Sequence, residues 1–467
     1  MTTFYIENHG CRATAADAAA IEQQLLAQGL ARADGPAPAD VFVLNTCTVT
    51  AAADAQARDA IRKAHRASPG ARIIVTGCYA QRAPEELAQI AGVTHVVGNS
   101  HQAHIGAVAQ AGLPAPSSGL VAIQGAQPGV AVPSQILAGD IFALKTVTVA
   151  QALLPVAQAS SPNRKGAQPG VAVPPADHTR PILKVQDGCD HRCAYCVIPF
   201  VRGRSRSLAP QQVVAEVRRL VEVGAKEIVL SGINLGSYGR DLMPRMELLE
   251  LLQRVLDESS LDRVRLSSIE PRDVTQDLAE LVAREPRLAP HFHVPLQSGA
   301  DRILAAMHRW YRAEHYARRI EVLRERLPHA AIGADVIAGF PGETEEDHRA
   351  TVALIERLPF TYLHVFSFSP RPGTEAARLI EQERAAEVPP PVIRQRAREL
   401  RALAAQKAAA FRAAQAGRTL RVLTLRAQGG DERGAYTEAL SGNFLTLRVP
   451  GRLPANQWRN ERAAFPF

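Results

Sequence analysis

The stretch Ile182-Leu183-Lys184-Val185-Gln186-Asp187-Gly188-Cys189-Asp190-His191-Arg192-Cys193-Ala194-Tyr195-Cys196 decides the fold. Ile182–Gln186 reads as a strand, and the loop after it carries Cys189-x3-Cys193-x2-Cys196. Three thiolates on one short loop can hold three irons of a 4Fe–4S cluster and leave the fourth iron open to a substrate. Zinc is the competing metal, with His191 as a fourth ligand in a closed structural site. The loop's setting favours iron, because it opens a long run of alternating strands and helices instead of a small knuckle. Glu227–Ser231, Arg263–Ser267, His291–Leu296, Ile332–Ala338 and Tyr362–Ser369 read as further strands, with helices such as Pro210–Val223 and Ala313–Arg326 between them. Six βα units with right-handed crossovers make a parallel sheet that curls towards a barrel. Six units are too few to close an eight-fold barrel, so an open (β/α)6 partial barrel is expected within 179–416.

Upstream, residues 1–105 alternate in the same way. Thr3–Ile6, Val41–Leu44, Arg72–Thr76 and His95–Val97 read as strands, and Thr14–Gln28, Ala52–Ala67 and Pro84–Ile90 as helices. A small doubly wound α/β domain follows. Cys11, Cys47 and Cys78 each stand just beyond the C-terminal end of one of its strands. In a parallel sheet those ends share one edge, where ligands collect. Three thiols distant in sequence are therefore expected to converge. Three unrelated buried thiols, each a small hydrophobe, are the plainer alternative. The tight contexts Gly10-Cys11, Asn45-Thr46-Cys47-Thr48 and Gly77-Cys78 favour convergence.

Residues 106–178 differ from both flanks. They are rich in Ala, Gly, Pro, Gln, Val and Ser, and the nonapeptide GAQPGVAVP occurs twice, at Gly125–Pro133 and Gly166–Pro174. Two copies make no solenoid, so a low-complexity insertion or linker is expected, with some local structure over Ile141–Leu154. Val392–Gln415 is a long helix with Arg394, Arg398 and Arg401 on one face. Short strands such as Leu420–Leu425 and Phe444–Val449 make residues 417–467 a small β module. The 467 residues carry a net charge of +8, a moderate excess that permits an acidic partner without requiring one. Aromatics are only 5%, which argues against broad base-stacking platforms. No secretory start and no apolar run of membrane length is expected, so a cytoplasmic protein follows, where six cysteines need a reason other than disulfides.

These motifs together resemble the methylthiotransferases of the radical S-adenosylmethionine (SAM) superfamily. Cys189–Cys196 is similar to the superfamily's CxxxCxxC signature. Gly10-Cys11, Asn45-Thr46-Cys47 and Thr76-Gly77-Cys78 are similar to the family's N-terminal cluster triplet. His293-Val294-Pro295-Leu296-Gln297-Ser298-Gly299 and Gly339-Phe340-Pro341-Gly342-Glu343-Thr344 match as well. Asn45–Thr50 and Thr76–Gln81 are most similar to the MtaB branch, which acts on N6-threonylcarbamoyladenosine at position 37 of tRNA. The isopentenyladenosine branch tends to carry Arg-Glu soon after the second cysteine, where this chain has Thr48-Val49-Thr50. The ribosomal-protein branch tends to carry Cys-Pro-Lys at the first cysteine, where this chain has Cys11-Arg12-Ala13. The insertion at 106–178 departs from the family.

The resemblance implies two 4Fe–4S clusters, one on Cys189, Cys193 and Cys196 and one on Cys11, Cys47 and Cys78. It implies two SAM molecules per turnover, one cleaved to a 5′-deoxyadenosyl radical that attacks adenine carbon 2 and one supplying methyl. Gly232 and Asn234 are then expected at the methionine end of SAM, Ser268, Glu270, Asp335 and Gly339 at its ribose and adenine, and Tyr195 beside the cluster loop. The C-terminal module would be a TRAM domain that binds RNA, helped by Arg202, Arg204, Arg206, Arg394, Arg398 and Arg401 against tRNA phosphates. An electron-donor protein and a sulfur source are implied but unspecified. Isopentenyladenosine and a ribosomal-protein aspartate are the alternative substrates. A non-catalytic RNA-binding protein with structural metal is the alternative of another class.

Overall fold

In the computed structural model, residues 1–37, 39–110, 135–141, 179–432 and 434–465 are described. Both nonapeptides, and Ile141–Leu154 apart from Ile141 itself, lie outside them.

The N-terminal sheet contains β1 (Thr3–His9), β2 (Ala31–Arg32), β3 (Val41–Thr46), β4 (Arg72–Gly77), β5 (Val93–Gly98) and β6 (Gln135–Leu137). They are all parallel, in the order β2-β1-β3-β4-β5-β6. β3 is buried throughout, and its first four residues, Val41–Leu44, are apolar because both faces are covered. Val41 and Val43 pack with Ile21 and Leu25 of α1 (Arg12–Ala27), while Phe42 and Leu44 pack with Ala57 and Ile61 of α2 (Ala51–Ala67) on the other face. The sheet continues past the expected boundary at 105. Ile105–Gln110 is helical, and β6 pairs with β5 from inside the segment expected to be a linker. A strand of three residues, Gln135-Ile136-Leu137, is too short to leave a periodic signal.

The central domain has the six expected parallel strands: β7 (Ile182–Asp187), β9 (Glu227–Gly232), β10 (Arg263–Leu266), β11 (His291–His293), β12 (Ala331–Ala338) and β13 (Tyr362–Ser367). β10 and β11 meet through bridges Val264–Leu288 and Ser268–His293, which join two sheets into one curved wall. A two-residue strand, β8 (Arg206–Ser207), runs antiparallel on the free edge of β7. One large apolar core fills the space between the wall and its helices.

The C-terminal sheet is antiparallel, ordered β16 (Thr446–Pro450), β15 (Gly434–Ser441), β14 (Thr419–Asp431), β17 (Trp458–Arg462). Its core includes Phe411 of the long helix Pro390–Gln415 and Ala331 of the barrel, so the module is seated on both. Arg265 reaches out of β10 to donate to the carbonyls of Ser441 (2.9 Å) and Gly442 (2.8 Å), and Trp458 Nε1 donates to Asp262 (2.9 Å).

Candidate active site between the two cysteine sites

Cys11, Cys47 and Cys78 follow β1, β3 and β4, which are neighbours in the sheet, so the three loops lie side by side at one edge. Glycines make the approach possible. A Cβ on Gly10 would stand 3.1 Å from Cys47 Cβ. Gly77 has φ +97°, and its Cβ would lie 2.3 Å from the Thr46 carbonyl oxygen, so no other residue fits before Cys78. Cys11 is exposed, while Cys47 and Cys78 are buried. Burial pushes the Cys47 thiol up to about 12, with the neighbouring Cys78 and Cys11 adding to the effect. Burial also raises Cys78, and Arg202 pulls it back. Asn99 Nδ2 is 3.6 Å from Cys78 Sγ, and the Val49 amide is 3.5 Å from Cys47 Sγ.

The second triplet sits on the loop after β7. Gly188 has φ +73°, and a Cβ there would meet the Arg204 carbonyl oxygen at 1.9 Å. The Cys189 amide donates to Gly203, the Ala194 amide to Met307 and the Cys196 amide to Cys193, which pins the loop to the barrel rim. Arg309 donates to Cys193 Sγ at 3.2 Å and pairs with Glu270 at 2.5 Å. Burial raises Cys189 to about 11 and raises Cys196 further. All six thiols are free. Burial keeps Cys47, Cys78, Cys189 and Cys196 protonated at neutral pH when left alone, and a metal centre would displace the proton.

The sulfur spacing distinguishes the candidate metals. Among the described residues, three metal-ligand atoms lie within 4.8 Å of one another only at His293, Asp335 and His364. Neither cysteine triplet is that tight. A single zinc ion with Zn–S bonds of ~2.3 Å needs sulfurs about 4 Å apart, so neither triplet has the spacing of a closed zinc site. His191 stays half-buried and completes no such group.

The other expected residues fall as follows. Gly232 ends β9, and a Cβ on it would meet Gln186 Oε1 at 2.8 Å. The Asn234 amide donates to the same Gln186 oxygen (2.9 Å), while Asn234 Oδ1 and Ser231 Oγ are buried without a partner. Orphaned polar atoms at the strand ends, above the cysteine loop, fit a polar ligand such as the methionine end of SAM. Ser268 bridges to His293 across the seam, Glu270 holds Arg309, and Gly339 (φ +81°) donates its amide to Glu343. Asp335 lies in mid-strand on β12, between His293 Nε2 (2.9 Å) and His364 Nδ1 (3.2 Å). Tyr195 and Cys196 line a cavity shared with Val49, Gln297, Asp335 and Phe366. One wall of that cavity belongs to the barrel's cysteine loop, and the other to the loop just after Cys47.

Among the expected RNA contacts, Arg202 needs correction. It is 2% exposed, and its guanidinium bonds Asp17 (2.7 Å) and Asp187 (3.1 Å) between the domains. A side chain held in that way cannot reach a phosphate. Arg204 is exposed, Arg206 is half-buried and bonded to the Arg202 and Arg204 carbonyls, and Arg394, Arg398 and Arg401 are exposed on the long helix. Sequence reasoning missed Arg309 and a second interdomain cluster. Thr48, Asp54 and Arg82 of the N-terminal domain are joined there by Arg371 of the barrel, which donates to Thr48 Oγ1 (2.9 Å) and pairs with Asp54. Isolated arginines carry no local motif, and only the folded chain brings them to their partners.

Two family models match the chain. "Uncharacterized protein family UPF0004" covers residues 3–98, and "Radical SAM superfamily" covers residues 183–355. The threonylcarbamoyladenosine tRNA methylthiotransferase MtaB of Aquifex aeolicus is 34% identical over 95% of this chain and 96% of its own length. The chain belongs to the radical SAM methylthiotransferase family. The MtaB protein of Bacillus subtilis is 36% identical over 82% of this chain and 77% of its own. The tRNA-2-methylthio-N(6)-dimethylallyladenosine synthase of Paenarthrobacter aurescens is 33% identical over 96% of this chain and 79% of its own. A solved structure of the radical SAM methyltransferase TsrM from Kitasatospora setae, with cobalamin and a 4Fe–4S cluster bound, shares the fold. It has TM-score 0.52 and 17% identity, covering 82% of this chain and 75% of that one. A radical SAM methylthiotransferase uses an iron–sulfur cluster and SAM, and the donor set described above suits both. The non-catalytic reading is thereby set aside. Among the described residues no helix is long and apolar enough to cross a membrane.

Proposed function

We propose that this chain adds a methylthio group to carbon 2 of N6-threonylcarbamoyladenosine at position 37 of tRNA. The observation that carries the reading is the cavity walled on one side by Cys196 and Tyr195 and on the other by Val49, two residues after Cys47. A base held there would touch Cys196 of one triplet and the loop that follows Cys47 of the other. The names of the MtaB relatives supply the substrate. Cys189, Cys193 and Cys196 hold one 4Fe–4S cluster, and Cys11, Cys47 and Cys78 hold the other. When bound, the clusters and two SAM molecules per turnover supply the radical, the sulfur and the methyl group.

The chain's own residues bind, orient and exclude water. Gly232 and Asn234 receive the methionine end of SAM, with Ser268, Glu270, Asp335 and Gly339 along its nucleoside and Tyr195 at the cavity wall. Arg309 donates to Cys193 Sγ and offsets the charge of a thiolate-bound centre. Buried Arg202 does the same beside Cys78. Arg204, Arg206, Arg394, Arg398 and Arg401, with the C-terminal sheet, hold tRNA phosphates while the adenine is unstacked into the cavity. The enzyme works in the cytoplasm with an electron-donor protein and a separate sulfur source.

The test is mass spectrometry of tRNA nucleosides from a strain lacking the gene, with and without its restoration. Loss and return of methylthio-threonylcarbamoyladenosine is the expected result. Loss of methylthio-isopentenyladenosine instead would move the substrate to the second reading, which relatives at 33% identity favour. No change in any tRNA nucleoside would refute both.

A further inference from the structure

Arg12, the first residue of α1, points into the barrel from the N-terminal domain. Its surroundings come from three parts of the chain. Asp335 and Tyr362 of the barrel wall and Arg265 of β10 are the charged or ionisable groups acting on it, together with Cys11. The Phe444 ring of the C-terminal module lies 5.8 Å from its guanidinium carbon. Nη1 is buried with no hydrogen-bond partner, and Arg12 has no ion pair among the described residues.

The other charges of this recess are engaged. Arg180, Arg263 and Arg265 share the Glu227 carboxylate (3.2, 3.3 and 2.7 Å), and Arg265 also holds two carbonyls of the C-terminal module. Asp335 uses one oxygen for both His293 and His364. Tyr362 OH meets His291 Nε2 (2.8 Å) and His293 Nδ1 (3.1 Å). Arg12 Nη1 is therefore a buried donor with no partner, and its guanidinium meets only the field of Asp335, Tyr362 and Cys11 and the Phe444 ring, in a recess with more Arg than acid. Asp335 also lines the cavity at Cys196, so the recess continues the space proposed for the base.

A buried guanidinium nitrogen with no partner is costly unless a ligand completes it. The threonylcarbamoyl group carries one carboxylate, and an isopentenyl group carries none. We propose that Arg12 is the specificity-determining residue that receives the carboxylate of the threonylcarbamoyl group through a charge-assisted hydrogen bond. An apolar N6 substituent would leave Arg12 Nη1 without a partner and cut off from water, so the same residue rejects the isopentenyl substrate. This inference rests on the substrate assigned above.

The test uses reconstituted holoenzyme and three anticodon stem-loop RNAs. One carries threonylcarbamoyladenosine, one its methyl ester at the threonine carboxylate, and one isopentenyladenosine. Wild-type enzyme is expected to bind the acid about ten- to hundredfold more tightly than the ester. Arg12→Gln should collapse that ratio towards one, and Arg12→Lys should restore part of it. KM should rise more than kcat falls. Iron and sulfide content of each variant reports whether the neighbouring Cys11 site is intact. If Arg12→Gln loses iron, the acid-to-ester ratio of the wild type decides. A wild type indifferent to esterification, or an Arg12→Gln enzyme that keeps the full ratio, overturns the inference while leaving the substrate assignment standing. Turnover of isopentenyladenosine alone would overturn the assignment itself.

Discussion

Replacing Arg202 with methionine tests the joint between the two α/β domains. Arg202 and Lys184 face Asp17 and Asp187, with Asp17 1%, Arg202 2% and Lys184 and Asp187 each 10% exposed. The four charges sum to zero. Without Arg202, Asp17 loses its 2.7 Å donor and both carboxylates depend on Lys184, with Arg206 only at the edge of the group, 4.0 Å from Asp187, in a place water hardly reaches. Breaking a buried pair in this way costs roughly 3–5 kcal/mol. Lys184 still contacts both carboxylates, so about 3 kcal/mol is expected. The assay is the denaturant midpoint of the transition that separates the domains, measured for Arg202→Met, Asp17→Asn and the double variant. Asp17→Asn should restore part of the loss, with a coupling energy of about 1–3 kcal/mol. If Arg202→Met stays within ~0.5 kcal/mol of wild type, the buried joint is not what holds the domains together.

The same group predicts a pH profile. Burial alone would raise Asp187, but Lys184 and Arg202 hold it well below the usual carboxylate range. Its folded value is depressed, so its contribution is full above the unfolded value near ~3.9 and is lost as pH falls below that. Lys184 is held above its ordinary value by Asp17 and Asp187 against burial, so its contribution fades only in strong alkali. Domain separation followed by denaturant should therefore be flat from about pH 5 to 10; a midpoint that drops between pH 7 and 5 would contradict this. Cys78→Ala and Cys193→Ala should each lower iron from about eight to about four per chain, whereas a variant that keeps all its iron would remove that cysteine from the ligand set. Arg309→Met should lower the reduction potential of one cluster in an EPR titration, because a donor to Cys193 Sγ favours the reduced, more negative state; an unchanged potential would make Arg309 purely structural. Gly77→Ala should cost more than about 3 kcal/mol, read as loss of soluble, meltable protein, and a melting temperature unmoved by it would deny the close approach at Thr46.

Much of the architecture is legible in the sequence because strand and cysteine positions obey local rules. Val41–Leu44 reads as a doubly buried strand, and Cys47 follows it at the edge where parallel strands end. Arg202-Gly203-Arg204-Ser205-Arg206 shows what is not legible. Three arginines at alternate positions look like one basic patch. The first closes a short helix against Asp17, 185 residues away, and only Arg204 is fully at the surface. Long-range charge pairing has no local period, so burial of a lone arginine cannot be read from its neighbours. The alternating Tyr362, His364 and Phe366 read as an ordinary strand, yet Phe366 is 40% exposed and lines the cavity. On an open barrel the inner face of the last strand is bordered by a gap where a closed barrel would have a neighbour.

The seating of the C-terminal sheet has a consequence for how a nucleotide is chosen. Arg265 grips the β15–β16 turn from inside the barrel wall, and Trp458 ties the far strand to Asp262. The module is bolted to the chamber at both ends, so the span between them is a fixed length. With that sheet in the RNA-holding role proposed above, an RNA would present whichever base lies one such span away, whatever its neighbours spell. Selection of a single position then works like a ruler, and register along the RNA is set by architecture before any base is inspected.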